Sequence, residues 1–105
     1  MDLNPTIGAE MNKQRPVVVV SSDAIGRLPL RLVAPITKWK DRFHDTLWHV
    51  KIEPDATNGL ETDSAVDTLQ LRGLDTQRFI RKMGKVSSSK MEEIAAAIAS
   101  VVEYQ

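Results

Sequence analysis

Cysteine is absent from the 105-residue chain. A disulfide scaffold, a Cys-based zinc site and a thiol nucleophile are thereby excluded together. No apolar run approaches the ~20 residues that span a bilayer. The start shows no signal-like pattern, so the expectation is a chain without a membrane role, most simply cytoplasmic. A Gly-rich phosphate loop, H-E-x-x-H, G-x-S-x-G and clustered calcium carboxylates are also missing, and no metal or other cofactor is implied. Aromatics are sparse, at two Trp, two Phe and one Tyr. Net charge is lacking as well: 14 Lys and Arg balance 14 Asp and Glu. That balance argues, at first sight, against a nucleic-acid partner.

Placing the charges along the chain changes this. Residues 1–10 carry only Asp2 and Glu10. Residues 11–44 carry Lys13, Arg15, Arg27, Arg31, Lys38, Lys40 and Arg42 against Asp23 and Asp41, a balance of +5. The remaining residues are acidic by −3. The first half can therefore offer a basic surface to a phosphate backbone, although a solvated charged face would look the same.

The apolar fraction, 42%, suffices for one compact core, and a single domain over residues 1–105 is expected. Arg15-Pro16-Val17-Val18-Val19-Val20 reads as a strand buried on both faces. Residues 3–14, with Asn4-Pro5 and Gly8, read as a long loop. Leu28 to Thr37 is a second strand whose Pro35 suggests an edge or a bulge. Thr46 to Ile52 alternates and is expected to turn Trp48 inward with Val50 and Ile52. Glu53 to Asp63 is turn-rich, Ser64 to Leu71 is a strand, Leu74 to Phe79 a helical turn, and Ile80 to Val86 a last strand. Ser89-Lys90-Met91-Glu92 has capping-box form. Met91, Ile94, Ala95, Ile98, Val101 and Val102 then repeat at helical spacing. Strands followed by one packed helix give a mainly β fold with α, a small β-barrel or curled sheet closed by a C-terminal helix.

Few residues carry chemistry. His44 and His49 lie outside any ligand spacing, and a lone His on a strand is more often structural. Arg15 precedes a buried strand, so its guanidinium would project from the rim and could fork onto a phosphate. Thr37 ends the next strand beside Lys38-Trp39-Lys40. Trp39 and Phe43 alternate with Lys38, Lys40 and Arg42, a pattern suited to stacking bases while cations track the backbone. The competing expectation for Phe43 is a place in the core.

In order along the chain these segments resemble the MazF/PemK family of toxin endoribonucleases. Asp2-Leu3-Asn4-Pro5-Thr6-Ile7-Gly8-Ala9-Glu10 is similar to the family's D-L-x-P-x-x-G-x-E loop, and Arg15-Pro16-Val17-Val18-Val19 to its R-P-x-V-V strand. Ala34-Pro35-Ile36-Thr37 resembles the P-x-T strand end, and Asp63-Ser64-Ala65-Val66 with Leu69-Gln70-Leu71-Arg72 the D-S-V and Q-x-R segment. The resemblance implies an SH3-like barrel of the CcdB/PemK type. It implies a homodimer that cuts single-stranded RNA, often mRNA, at short sequences without a metal. It further implies restraint by a cognate antitoxin whose extended acidic tail fills the RNA groove. The family's key Arg and Thr fall on Arg15 and Thr37, its loop Glu on Glu10 and its Gln on Gln70. Asn12, Lys13 and Lys38 lie beside them, with Trp39 and Lys40 as RNA contacts.

Arg15 and Thr37 are suited to hold non-bridging phosphate oxygens while the ribose 2′-OH attacks. Arginine stays protonated and is a poor base; Glu10, then His44, are candidates for that role, and it stays open. The His and Asp that some members use stand here as Ala9 and Leu69. Against the family pattern, most of a first strand is missing, which implies a late start or a shortened chain and an open sheet edge. Two other readings remain: a barrel that poisons gyrase without catalysis, as CcdB toxins do, and an inactive antitoxin-binding member.

Overall fold

The computed structural model describes residues 6–10, 15–21 and 27–102. Among these residues seven antiparallel strands, β1 (Thr6–Glu10), β2 (Pro16–Val19), β3 (Leu30–Lys38), β4 (His49–Ile52), β5 (Ser64–Asp67), β6 (Arg72–Asp75) and β7 (Phe79–Lys85), precede one α-helix, α1 (Ser88–Val102). The sheet runs β4-β5-β3-β2-β1-β7, with β6 also on β3. This is the mainly β fold with a C-terminal helix that the sequence led us to expect.

Apolar residues fill both faces of the central strands. Val18, Ala34, Ile36, Val50, Ile52 and Val66 face α1, where Ile94 and Ala97 are buried. Val17, Val19 and Val33 form the second face, covered by Leu74 and Phe79. Val17, Val18 and Val19 are thus buried on both sides, with Val20 partly so, because β2 lies between β1 and β3 with apolar cover above and below.

Where residues 3–14 read as a loop, Thr6–Glu10 is a strand held between β2 and β7. Gly8, read as part of that loop, marks a close approach instead. A Cβ there would lie 3.1 Å from the Phe79 ring and 3.2 Å from the Arg81 carbonyl oxygen. Asp2 to Pro5 lie outside the described residues, as do Asn12 and Lys13.

Pro35 is neither edge nor bulge. Val20 N donates to Leu32 O (2.9 Å), so the antiparallel alternation puts the Val17–Pro35 pair at a non-hydrogen-bonded position. The missing N–H therefore faces the other edge of β3. There β6 pairs as far as Val33 and β5 begins at Ile36, so Pro35 falls in the gap.

Several boundaries move for local reasons. β4 begins at His49, and Trp48 is only half-buried rather than inward, while Val50 and Ile52 do point to the core. β5 stops at Asp67 because the Asp67 carboxylate accepts from Leu69 N (3.1 Å) and caps a 3-10 turn, Thr68–Gln70. Asp75 caps a second such turn, Thr76–Arg78. The helix is capped by Ser87, whose Oγ accepts from Lys90 N (3.2 Å), two residues before the expected Ser89 box.

The turn-rich segment after β4 locks the sheet's far edge. Asp55 Oδ1 accepts from Thr57 N (2.8 Å) and Asn58 N (2.8 Å), and the Thr57 bond chiefly holds this carboxyl below its usual pKa. Buried Asn58 donates to Glu53 O (2.9 Å) and accepts from Leu60 N (3.0 Å). Lys85 N donates to Thr57 O (2.9 Å), which ties the turn to β7. Gly59 has φ +73°, and a Cβ there would run into the Met83 carbonyl. Gly59→Ala combines a left-handed backbone with this clash and should cost about 2–4 kcal/mol. Urea unfolding would measure it, and a cost below about 0.5 kcal/mol would show that the turn does not press on β7.

Candidate active site

The β2–β3 register sets Val17 across from Pro35 and Val19 across from Val33. Continuing it by two residues brings Arg15 across from Thr37. This is a non-hydrogen-bonded position, where facing side chains come closest. Both residues are exposed. On the other edge of β3, Thr37 pairs with Ala65 of β5. A small, buried neighbour there leaves the Thr37 hydroxyl uncovered.

Two clefts meet at this pair. One, of about 420 Å³, is lined by Arg15, Thr37, Lys40, Arg42, Trp48, His49, Asp67 and Gln70 among others. The other, of about 630 Å³, is lined by Arg15, Thr37, Lys38, Glu61, Arg81 and Lys82 among others. Arg15 and Thr37 border both. Among the described residues, six Lys and Arg side chains face the two clefts against Glu61 and Asp67. The neutral chain therefore concentrates positive charge along a groove with a hydroxyl and a guanidinium at its centre. Such a groove can bind a polyanion and hold one phosphate at the junction.

A model of PemK-like, MazF-like toxins of type II toxin–antitoxin systems matches residues 1–102. The chain is 32% identical to "Endoribonuclease MazF9" of Mycobacterium tuberculosis, covering 93% of this chain and 86% of that protein. It is 31% identical to "Endoribonuclease EndoA" of Bacillus subtilis, covering 92% and 83%. The chain belongs to the PemK-like, MazF-like toxin family. Solved structures agree on the fold. The M. tuberculosis toxin MazF-mt6 gives a TM-score of 0.79 at 24% identity over 95% of this chain and 98% of that one. An endoribonuclease from a mycobacterial species, in complex with its cognate antitoxin, gives 0.80 at 15% identity over 100% of each chain.

Within this toxin, the residues singled out from sequence divide between surfaces. Arg15, Thr37, Lys40 and Gln70 line the smaller cleft and Lys38 the larger. Glu10 pairs through its backbone with Phe79, and its side chain lies outside the description. Trp39 borders a third cleft, between the 3-10 turn Asp41–Asp45 and α1. Its ring meets Phe43 and His44 edge-on, at 5.6 and 5.0 Å, with Lys51 Nζ 5.2 Å above it. Trp48 is the tryptophan on the smaller cleft. Phe43 takes its place in the core, stacked on His49 at 3.7 Å. Among the described residues no three His, Cys, Asp or Glu side chains gather as a metal site, and no helix is long and apolar enough to cross a membrane.

Sequence reasoning missed Arg81, Lys82, Trp48, His49 and Asp67 as lining residues. Arg81 and Lys82 reach the groove only because β7 pairs with Ala9 and Gly8 of β1, a pairing without a local signal. His49 joins a chain of contacts. Its Nδ1 lies 2.8 Å from Thr46 Oγ1 and its Nε2 3.8 Å from Asp67 Oδ2. Asp67 Oδ2 also accepts from Gln70 Nε2 (2.8 Å).

Burial lowers the His49 pKa from 6.5, Asp67 raises it and Arg42 lowers it further. With the folded pKa depressed, the unfolded chain takes up the proton first. Stability is then fully present above about pH 6.5 and is lost as pH falls toward the folded value. An NMR titration of the imbalance is direct: Asp67→Asn should move the His49 midpoint down and Arg42→Ala should move it up. Shifts of opposite sign would contradict this electrostatic arrangement.

Proposed function

We propose that this toxin is a sequence-specific, metal-independent endoribonuclease that cleaves single-stranded RNA, including mRNA, and is neutralised by a cognate antitoxin. One observation carries the reading: Arg15 and Thr37 sit at the meeting point of two basic clefts, one on either side of where a phosphate would rest. A single strand laid along both clefts presents one phosphodiester to the pair. The relatives named as endoribonucleases support the same reading.

The chemistry follows from what these two groups can do. The ribose 2′-oxygen attacks phosphorus, the P–O5′ bond breaks, and a 2′,3′-cyclic phosphate and a 5′-hydroxyl result. The 2′ proton leaves to a base and the 5′-oxygen gains one. Arg15 and Thr37 donate to the non-bridging oxygens, where charge accumulates in the transition state. Holding the strand by its flanking phosphates aligns the 2′-oxygen for displacement. Glu10 is assigned a supporting part; Lys38, Lys40 and Gln70 hold the strand, and further RNA contacts are assigned to Asn12, Lys13 and, from the third cleft, Trp39.

The same groove suits an extended acidic antitoxin segment, which would exclude RNA by occupying the cations that bind its backbone. The solved complex of a similar endoribonuclease with its cognate antitoxin supports that partner. Leu28, Leu30 and Leu32 are each 45–58% exposed on and beside β3, which supports a homodimer. We place the protein in the cytoplasm, where mRNA is met.

In EDTA, the purified protein should cut single-stranded RNA and leave 5′-hydroxyl ends. Arg15→Ala and Thr37→Ala should each reduce the rate about 10²–10³-fold while leaving the melting temperature nearly unchanged, since both side chains are exposed. Unimpaired cleavage by either variant would remove that residue from the mechanism.

A further inference from the structure

The end of the smaller cleft away from the Arg15–Thr37 junction is chemically one-sided. Asp67 Oδ2 lies 2.8 Å from the Gln70 amide. A carboxylate can only accept, so the facing atom is Nε2 and the Gln70 carbonyl oxygen is left as the unused group. Thr46 gives its single hydroxyl hydrogen to Phe43 O (3.0 Å). In the tautomer that this bond favours, His49 Nδ1, 2.8 Å from that hydroxyl, is the donor. The neutral ring then presents Nε2 as an acceptor, 3.8 Å from Asp67 Oδ2. Burial disfavours the proton that would join them. Three acceptors thus line one wall, and two of them face each other with no hydrogen between. The side chains of His49 and Asp67 are only 9% and 14% exposed, so water satisfies them poorly and a ligand donor gains accordingly.

We infer that this end of the cleft is a guanine pocket, which reads the nucleotide next to the phosphate held by Arg15 and Thr37. Guanine alone among the four bases carries two adjacent donors, N1–H and the N2 amine, on one edge. Adenine and cytosine offer one amine beside a ring acceptor, and uracil one N–H between two carbonyls. With the donor pair on Asp67 and His49, guanine O6 remains as an acceptor for a cation, and Arg42 and Lys40 line the same cleft. Trp48 supplies the stacking face. Its carbonyl is clamped by Thr68 N (2.9 Å) and Thr68 Oγ1 (2.8 Å), and Thr68 opens the same 3-10 turn that carries Gln70. The backbone that carries the platform is therefore tied to the turn that carries Gln70. Asp67 acts both as a reader and as the residue that positions Gln70.

This inference rests on the RNA-cleaving reading, and the test separates the two. Short single-stranded RNAs that differ only at the two nucleotides flanking the cut would be compared for cleavage rate, with inosine as a fifth base. At one flanking position guanine should be preferred at least ~10-fold over A, C and U, with inosine, which lacks the N2 amine, reduced about 5-fold or more. Asp67→Asn keeps an oxygen for the Leu69 N–H cap but replaces an acceptor by a donor, so the guanine preference should fall below about 3-fold. Cleavage without preference at either position, preference for another base, full activity on inosine, or a guanine preference unchanged in Asp67→Asn would each overturn the pocket and leave the nuclease standing. If no RNA is cut, the four nucleoside 3′-monophosphates are titrated against the Trp48 indole N–H by NMR. A shift with the guanine nucleotide alone then supports the pocket while the nuclease reading falls; no selective shift overturns the pocket as well.

Discussion

The pairing of β2 with β3 governs everything else in the molecule. It builds both halves of the core, because alternate residues of the two strands point to α1 and to the Leu74–Phe79 cover. It also carries Arg15 to Thr37, two residues beyond the last described pair. Val17, Val18, Val19 and Val20 are identical side chains, so the strand interior distinguishes poorly between one register and the next. The flanks distinguish, Arg15 among them, and the β1–β2 and β3–β6 pairings hold the register besides. A slip of one position turns every β2 side chain to the other face and would drive the Arg15 guanidinium toward Ile36 and the core, at a cost of several kcal/mol for a buried, unpaired charge. The site residue therefore helps to enforce the register that creates the site.

The groove draws its charge from segments that are remote in sequence. Arg15 comes from β2, Lys38 from β3, Lys40 and Arg42 from the connection after it, and Arg81 and Lys82 from β7. Acids of the second half lie mostly elsewhere: Asp55 is spent on a turn, and Asp75 on capping one. Glu61 borders the larger cleft and Asp67 the smaller, and Asp67 gives the groove polarity. It ends β5, caps the 3-10 turn and fixes the Gln70 amide, so one end of an otherwise cationic groove presents acceptors.

Much of this architecture was legible in the sequence, for identifiable reasons. The helix announced itself through Met91, Ile94 and Ile98 at helical spacing, and the valine run through its bounding Pro16 and Ser21. The ordered motifs pointed to the toxin family, and the family model matches residues 1–102, which contain all of them. What was not legible depended on distant partners. Thr6–Glu10 is a strand only because β2 and β7 flank it, and Gly8 reads as part of a loop until Phe79 is placed against it. Trp39 and Trp48 each have a basic or imidazole neighbour, and only the 3-10 turn between them decides which one borders the smaller cleft. His49 and Asp67 are 18 residues apart in the numbering and meet because β4 pairs with β5 in that register.

The site depends on Arg15 and Thr37 facing each other across the β2–β3 pair. The chain has no cysteine, so Arg15→Cys combined with Thr37→Cys gives a clean probe of that geometry. Facing, non-hydrogen-bonded positions lie within the Cα separation that a disulfide accepts. Mild oxidation should join the two thiols within one chain, seen as a loss of both free thiols in a monomer under denaturing conditions. The same chain with Arg15→Cys and Lys38→Cys, one step out of register, should stay reduced. Efficient closure of the Lys38 pair, or failure of the Thr37 pair in a folded protein, would contradict the register on which the site depends.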